Sequence, residues 1–342
     1  MLPDRLYDTF GRKHDYLRIS LTDACNLRCR YCMPDEKVMT TASAKLMQVD
    51  EILGIAGVFV NLGVKKIRLT GGEPLVRLDA ARIMEGLADL PVELAVSTNG
   101  VLVHKFVGVF KRTGIRSVNV SLDTLNAEEF LAITQRGEFN KIVENIQLLL
   151  ANDFKVRLNM VVVRGVNEHV LLDFIAWTKD FPLEVRFIEF MPFAGNAWER
   201  SKVFSYAEML ALIAAGNALE KLTDAPSDTA KKYKVKGHVG TFAFITTVTE
   251  PFCGGCNRLR LTADGKMKNC LFSQGEVDLL GPWRRGEIIE QLIMDCVLGK
   301  KKELGGRKDF EKPAKSGFLS TGKTTDEDAN NIENRSMIRI GG

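Results

Sequence analysis

Up to Phe190, short runs rich in β-branched and aromatic residues alternate with longer stretches in which apolar residues recur at helical spacing. The strand-like runs are YLRISLT (16–22), KKIRLT (65–70), VELAVS (92–97), RSVNVSL (116–122), KVRLNMVVV (155–163) and LEVRFIEF (183–190). The helical stretches between them are VDEILGIAGVFVNLG, DAARIMEGLADL, HKFVGVFKRTG, NAEEFLAIT, FNKIVENIQLLLANDF and EHVLLDFIAWTKD. Several end in Gly or Asn, as helix C-termini often do. Strand–helix repeats of about 30 residues predict parallel strands joined by crossovers. Six such units fit an open partial barrel or a doubly wound sheet, and the pattern does not choose between them.

After residue 195 the rhythm changes. A helix is predicted over 203–215, short strands around VGTFAFITTVT, and a helix near 285–298. From Lys300 to Asn334 the chain is polar, rich in Lys, Gly, Asp and Asn, and without periodicity, which predicts a solvated tail.

Composition adds limits. The chain has 342 residues, 45% of them hydrophobic, enough for a large core. A formal net charge of only +4 argues against general nucleic-acid binding, though it is compatible with a local basic pocket for a small polyanion. The first twenty residues read as neither a secretory signal nor a transit peptide, and no stretch approaches the ~20 apolar residues of a membrane span. The expectation is a cytoplasmic protein with no membrane or nucleic-acid partner.

Seven cysteines, an odd number, argue against a disulfide framework. Cys296, in IIEQLIMDCVLG, reads as a small buried apolar residue of a helix. The other six form two triplets. Cys25, Cys29 and Cys32 are spaced Cys-x3-Cys-x2-Cys in the loop after the first strand. Structural zinc normally takes four ligands, and all four histidines are isolated in sequence, so a closed zinc site is hard to build from residues 25–32. A four-iron, four-sulfur cluster on three thiolates is easier, and it leaves one iron open. Other distinctive residues fall at the same kind of position, after a strand: TGGEP (70–74), STNG (97–100), SLD (121–123) and Met191. Each alone is a turn; all in register point to a shared cavity at the C-terminal strand ends.

The second triplet, Cys253, Cys256 and Cys270, is spaced Cys-x2-Cys-x13-Cys within FCGGCNRLRLTADGKMKNCLF. It opens like a zinc motif but lacks the fourth ligand, which only a distant residue such as His238 would supply; a second three-cysteine cluster is the better reading. Arg258 and Arg260 alternate after the second cysteine and would share a strand face, which suggests an anionic substrate such as a phosphate.

The cysteine spacing with Tyr31 before the third cysteine, followed by GGEP, resembles the radical S-adenosylmethionine enzymes. LRISLTDACNLRCRYCMP, KIRLTGGEPL, VNVSLD, RFIEFM, FCGGCNRLRLT, NCLF and the terminal IGG together resemble the GTP 3′,8-cyclase family, which opens molybdenum-cofactor biosynthesis. The resemblance runs from about residue 4 to the C-terminus. It implies a partial (β/α)6 TIM-type barrel over 1–222 and a C-terminal α+β capping region over 223–342 that carries a second iron–sulfur cluster. It implies two [4Fe-4S] clusters, held by Cys25, Cys29 and Cys32 and by Cys253, Cys256 and Cys270. Tyr31, Gly72, Ser121 and Met191 resemble positions that contact S-adenosylmethionine. Arg18, Arg68, Ser97, Arg157, Arg258 and Arg260 resemble positions that contact GTP. Threonine is common in the family where Ser97 stands, and lysine where Arg157 stands. An adenosyl radical is expected to abstract the ribose 3′ hydrogen and so produce 3′,8-cyclo-7,8-dihydro-GTP. The tail ending in Gly341 and Gly342 is expected to enter the cavity. The implied partners are GTP, a flavodoxin- or ferredoxin-like electron donor and the next enzyme of the pathway, with the chain a monomer or homodimer. A peptide-modifying radical enzyme and a zinc-binding nucleic-acid module are the alternatives; the first is opposed by NRLR and Gly-Gly, the second by incomplete ligand sets.

Overall fold

The computed structural model describes residues 6–32, 40–307, 310 and 335–341. Six parallel strands carry its first half: β1 (Tyr16–Ser20), β2 (Lys66–Thr70), β3 (Glu93–Thr98), β4 (Ser117–Ser121), β5 (Lys155–Val162) and β6 (Glu184–Glu189). Each expected strand is present, with its ends displaced by no more than two residues. Helices α1 (Val49–Asn61), α2 (Ala80–Ala88), α3 (Val103–Arg112), α4 (Ala127–Thr134), α5 (Phe139–Ala151) and α6 (Leu171–Trp177) lie between them. The helix expected over 168–180 opens as a 3-10 turn, Glu168–Val170, before α6. Local sequence sets the starts: Gln48 and Glu51 form a capping box on α1, and the Asn126 side chain accepts from the Glu128 and Glu129 N–H groups at α4.

Parallel strands covered on both faces are usually apolar throughout. Here they alternate. Leu17, Ile19, Ile67, Leu69, Val118, Val120, Leu158, Val185 and Phe187 are buried in the main core with Ile52, Ile55 and Phe59 of α1. Burial of each such side chain contributes about 1.5–3 kcal/mol. The intervening positions are polar and form cross-strand rows. Arg18 pairs with Arg68 on β2, Ser97 leads through Asn119 and Arg157 to Glu184, and Ser121 through Asn159 to Arg186. One sheet face therefore packs on helices and the other is chemically equipped.

The second half adds α7 (Tyr206–Ala214), β7 (Leu219–Lys221), β8 (Ala230–Val235), β9 (Thr241–Ile245), β10 (Arg258–Leu261), β11 (Lys266–Lys268), β12 (Val277–Asp278), α8 (Leu280–Arg284) and α9 (Glu290–Leu298). Among the described residues these strands join one twelve-stranded mixed sheet in the order β12-β11-β10-β1-β2-β3-β4-β5-β6-β9-β8-β7. The sheet crosses residue 222: β9 pairs parallel with β6, and β10 pairs parallel with β1, setting Arg260 opposite Arg18. The helix expected near 285–298 is α9, which starts later, at Glu290; α8 precedes it, and Gly286 at φ +74° lies in the turn between them. Cys296 is buried on α9, as expected.

The solvated tail expected from Lys300 does not begin there. Lys300 is only 4% exposed and a 3-10 turn follows at Leu304–Gly306. Hydrogen bonds from a buried ammonium override a polar composition. Of the rest of that expected tail, residues 308–309 and 311–334 lie outside the described residues. A smaller core of Val163, Phe190, Phe193, Trp198, Val203, Phe272, Phe310 and Ile340 joins the end of β6 to the C-terminal segments; Phe193 stacks on Phe272 with ring centroids 5.9 Å apart. Among the described residues no helix is long and apolar enough to cross a membrane.

Candidate active site

A cavity of about 370 Å³ opens over the polar face of the sheet. All six triplet cysteines line it, with Tyr31, Gly71, Gly72, Ser97, Ser121 and Met191 and the arginines Arg18, Arg68, Arg186, Arg258 and Arg260. Residues more than 200 positions apart thus meet because β10 lies beside β1.

The first cysteine loop is built against the loop after β2. Gly72 N–H donates to Thr22 O at 2.7 Å and Glu73 N–H to Ala24 O at 2.8 Å. A Cβ on Gly71 would lie 2.5 Å from Thr22 O, and one on Gly72 2.5 Å from Ala24 O. The two glycines are therefore needed for backbone approach to the cysteine loop itself. Glu73, fully buried, accepts from Leu75 N (3.0 Å), Asn99 N (2.6 Å) and Thr98 Oγ1 (2.8 Å), tying the loops after β2 and β3 together. The Tyr31 hydroxyl donates to Asp123 Oδ2 at 2.5 Å, and Asp123 Oδ1 accepts from Val161 N at 2.9 Å. Burial pushes the Asp123 carboxyl up to about 6, with those two hydrogen bonds opposing.

Six free thiols with no histidine among them make a donor set suited to iron–sulfur clusters. His14 is buried against Asp8 (3.0 Å) and His238 bonds Thr178 (2.8 Å), so neither completes a triad. N–H groups point at sulfur: Leu27 N at Cys25 Sγ (3.4 Å), Leu304 N at Cys253 Sγ (3.4 Å) and Lys300 Nζ at Cys256 Sγ (3.4 Å). Among the described residues no three such side chains converge to hold a single metal ion; in a cluster each thiolate meets a different iron. Burial pushes the Cys25 thiol up to about 11. At Cys256 burial is outweighed by the cations Arg258 and Lys300, which bring the thiol down to about 6.

The arginines are crowded. Burial, then the Arg68 and Arg258 guanidiniums against the opposing pull of Tyr16, bring Arg18 down to about 10. Burial, then Arg18 and Arg258, bring Arg260 down to about 9. Such mutual repulsion is relieved by a bound polyanion. Arg68 donates to Tyr16 Oη (2.5 Å) and Val96 O (2.9 Å). The Arg258 guanidinium lies 4.9 Å from the centre of the Phe252 ring.

Of the expected cofactor- and substrate-contacting residues, one is not among those that line the cavity. Arg157 does not line the cavity; it is held by the Ser117 hydroxyl and by Glu184 at 3.4 Å. Arg186, two residues beyond Glu184, does line it. Sequence reading missed Arg186, and also Asn119 and Asn159, whose buried Oδ1 atoms have no partner among the described residues. Their signal was available: each is a polar residue at an alternate position inside an apolar strand. The C-terminal segment lines the cavity through Met337 and Ile338; Gly341, at φ +70°, packs on the end of β2, where a Cβ would come within 2.6 Å of Thr70 Oγ1, and Gly342 lies outside the described residues.

Two family models match: the Radical SAM superfamily over residues 19–178 and Molybdenum Cofactor Synthesis C over 183–305. A GTP 3′,8-cyclase, mitochondrial, of Arabidopsis thaliana is 43% identical over 99% of this chain and 84% of its own length. A GTP 3′,8-cyclase of Peptoclostridium acidaminophilum is 40% identical over 87% of this chain and 93% of its own. Molybdenum cofactor biosynthesis protein 1 of Mus musculus is 48% identical over 87% of this chain, which spans only 48% of that longer protein. Among solved structures, Streptococcus suis SuiB bound to S-adenosylmethionine superposes with a TM-score of 0.58 at 13% identity, over 79% of this chain and 65% of that one, a likeness of fold alone.

Proposed function

This chain belongs to the GTP 3′,8-cyclase family of radical S-adenosylmethionine enzymes, and from that premise we propose that it cyclises GTP to 3′,8-cyclo-7,8-dihydro-GTP, the first step of molybdenum-cofactor biosynthesis. The observation that carries this reading is the convergence of both cysteine triplets and five arginines on one cavity.

Cys25, Cys29 and Cys32 would hold one [4Fe-4S] cluster and Cys253, Cys256 and Cys270 a second. Bound S-adenosylmethionine and the first cluster supply one-electron chemistry that ends in hydrogen abstraction. The chain's own residues position and shield. Tyr31, fixed by Asp123, and Gly72, Ser121 and Met191, all lining the cavity, would contact S-adenosylmethionine. Arg18, Arg68 and Arg258, joined by Arg186, are suited to the triphosphate by charge and by the fork geometry of guanidinium. Asn119 and Asn159 offer unpaired side-chain oxygens to donors on base or sugar.

We read β1–β6 with their helices as a partial (β/α)6 barrel of the TIM type, residues 1–222, and residues 223–342 as a region capping it. Cavity residues drawn from all six strands, β1 to β6, support that curvature. We assign the chain to the cytoplasm, with a flavodoxin- or ferredoxin-like reductant. Anaerobic incubation with GTP, S-adenosylmethionine and dithionite tests the function: chromatography coupled to mass analysis should resolve from GTP a product of the same mass, with one 5′-deoxyadenosine per turnover. Unchanged GTP from protein carrying its full iron would overturn it.

A further inference from the structure

Lys300 follows helix α9 and its ammonium is taken out of water. Nζ donates to Cys256 Sγ at 3.4 Å and to Arg258 O at 3.1 Å. Leu304 N–H donates to Cys253 Sγ at 3.4 Å. Gly305, at φ +66°, lies flat on the turn after the third cysteine: a Cβ there would come within 2.6 Å of the Phe272 carbonyl carbon and Ser273 N. A strap of six residues thus touches the loops of Cys253, Cys256 and Cys270.

The strap is pinned from the other end of the chain. Arg12 donates to the carbonyl oxygens of Lys301 (2.9 Å), Lys302 (2.6 Å) and Cys253 (2.8 Å). Asp8 holds the Arg12 Nε at 2.6 Å, and both side chains are buried. One guanidinium therefore joins the Cys253 loop of the second triplet to the strap. Burying an ammonium is costly unless an anion faces it. The group facing Lys300 is a cysteine sulfur, so the arrangement makes sense when that sulfur and what it binds carry negative charge.

We propose that the Lys300–Gly305 strap raises the reduction potential of the second iron–sulfur cluster, with Lys300 supplying a buried positive charge at Cys256 and Arg12 acting as a positioning residue. This rests on the reading of Cys253, Cys256 and Cys270 as cluster ligands. In the redox step one electron passes from an external reductant to the cluster, and no bond or proton changes hands. A cation and N–H donors at the ligand sulfurs stabilise the added electron, so they make the cluster easier to reduce.

The test is an EPR-monitored dithionite titration of the full chain carrying its clusters, after iron and sulfide counting. The second cluster's signal is the one absent from Cys256→Ala protein. Lys300→Met should lower the midpoint of that signal and leave the other cluster's midpoint unchanged. Lys300→Arg should stay near wild type. Arg12→Gln should shift the same signal in the same direction by less, because Lys300 remains but is no longer fixed. An unchanged midpoint in Lys300→Met overturns the proposal. If that variant loses the cluster, Lys300→Gln, which keeps an N–H donor without charge, is read by the same criterion. Wild-type protein binding iron for one cluster only would instead overturn the cluster reading itself, and this inference with it.

Discussion

Arg260 donates from Nη1 to the carbonyl oxygen of Gly341 at 2.7 Å, and to that of Ile340 at 3.4 Å. An arginine that sequence motif assigns to substrate is thus also the anchor of the C-terminal segment. Arg335 adds a second anchor, bonding both oxygens of Asp264 at 2.8 and 2.9 Å. With Gly341 so close to Thr70 and Ser20, a methyl group has no room. Gly341→Ala should therefore displace the tail while leaving cluster content intact. Misplacing a reacting group by about 1 Å costs roughly 10²-fold in rate. The expected result is a loss of cyclised product of that order with 5′-deoxyadenosine still formed, measured together by chromatography. A variant with the wild-type product-to-5′-deoxyadenosine ratio would show that the tail does not position the substrate.

Arg258 is the better candidate for phosphate recognition, since Arg260 is engaged by the tail. Arg258→Ala should weaken GTP binding by about 1.5–3 kcal/mol, the range for hydrogen bonds to charged groups. Guanosine binding should change little. Calorimetric titration of both ligands decides it: an equal loss for GTP and guanosine would assign Arg258 to the base or to structure.

The Asp8–His14 pair predicts an acid-labile fold. Burial, and then Lys300, hold His14 down at about 4 against a usual 6.5, with Asp8 opposing. Burial pushes Asp8 up, but hydrogen bonds from His14, Arg12 and the Phe10 N–H outweigh it and hold the carboxyl at about 2. Between pH 6.5 and 4 the unfolded chain takes up a proton at His14 that the folded chain refuses, so stability falls with pH. Between about 3.8 and 2 the same holds for Asp8. Denaturant midpoints measured from pH 7 to 5 should fall more steeply for wild type than for His14→Gln. Parallel curves would contradict the burial of a neutral imidazole. Asp8→Ala, which strands the buried Arg12, should cost about 3–5 kcal/mol.

Strands and most helices were legible because alternation and helical spacing are local signals. Pairings such as β1 with β10 were not, since no local pattern in NRLRL says which strand it will join. The clasp of Asp8 and Arg12 on residues 301–302 escaped for the same reason: it spans about 290 positions and uses backbone oxygens, which carry no sequence signature. Arg157 stands apart from the cavity lining. It has the right charge on the right strand face, but Ser117 and Glu184 claim it lower in the sheet, while Arg186 occupies the cavity. The cysteine triplets were legible as donors, because spacing alone limits what three thiolates can bind. Their meeting in one cavity needed the fold.

On this reading two triplets with different tasks serve one cavity. That division is tested most directly by quantifying 5′-deoxyadenosine and cyclised GTP from Cys29→Ala and Cys256→Ala proteins under anaerobic reduction. Cys29→Ala should form neither. Cys256→Ala, with the first cluster intact by iron content, should still cleave S-adenosylmethionine and form no cyclised product. Cyclisation at the wild-type rate by Cys256→Ala, or equal loss of both products in that folded variant, would contradict the account.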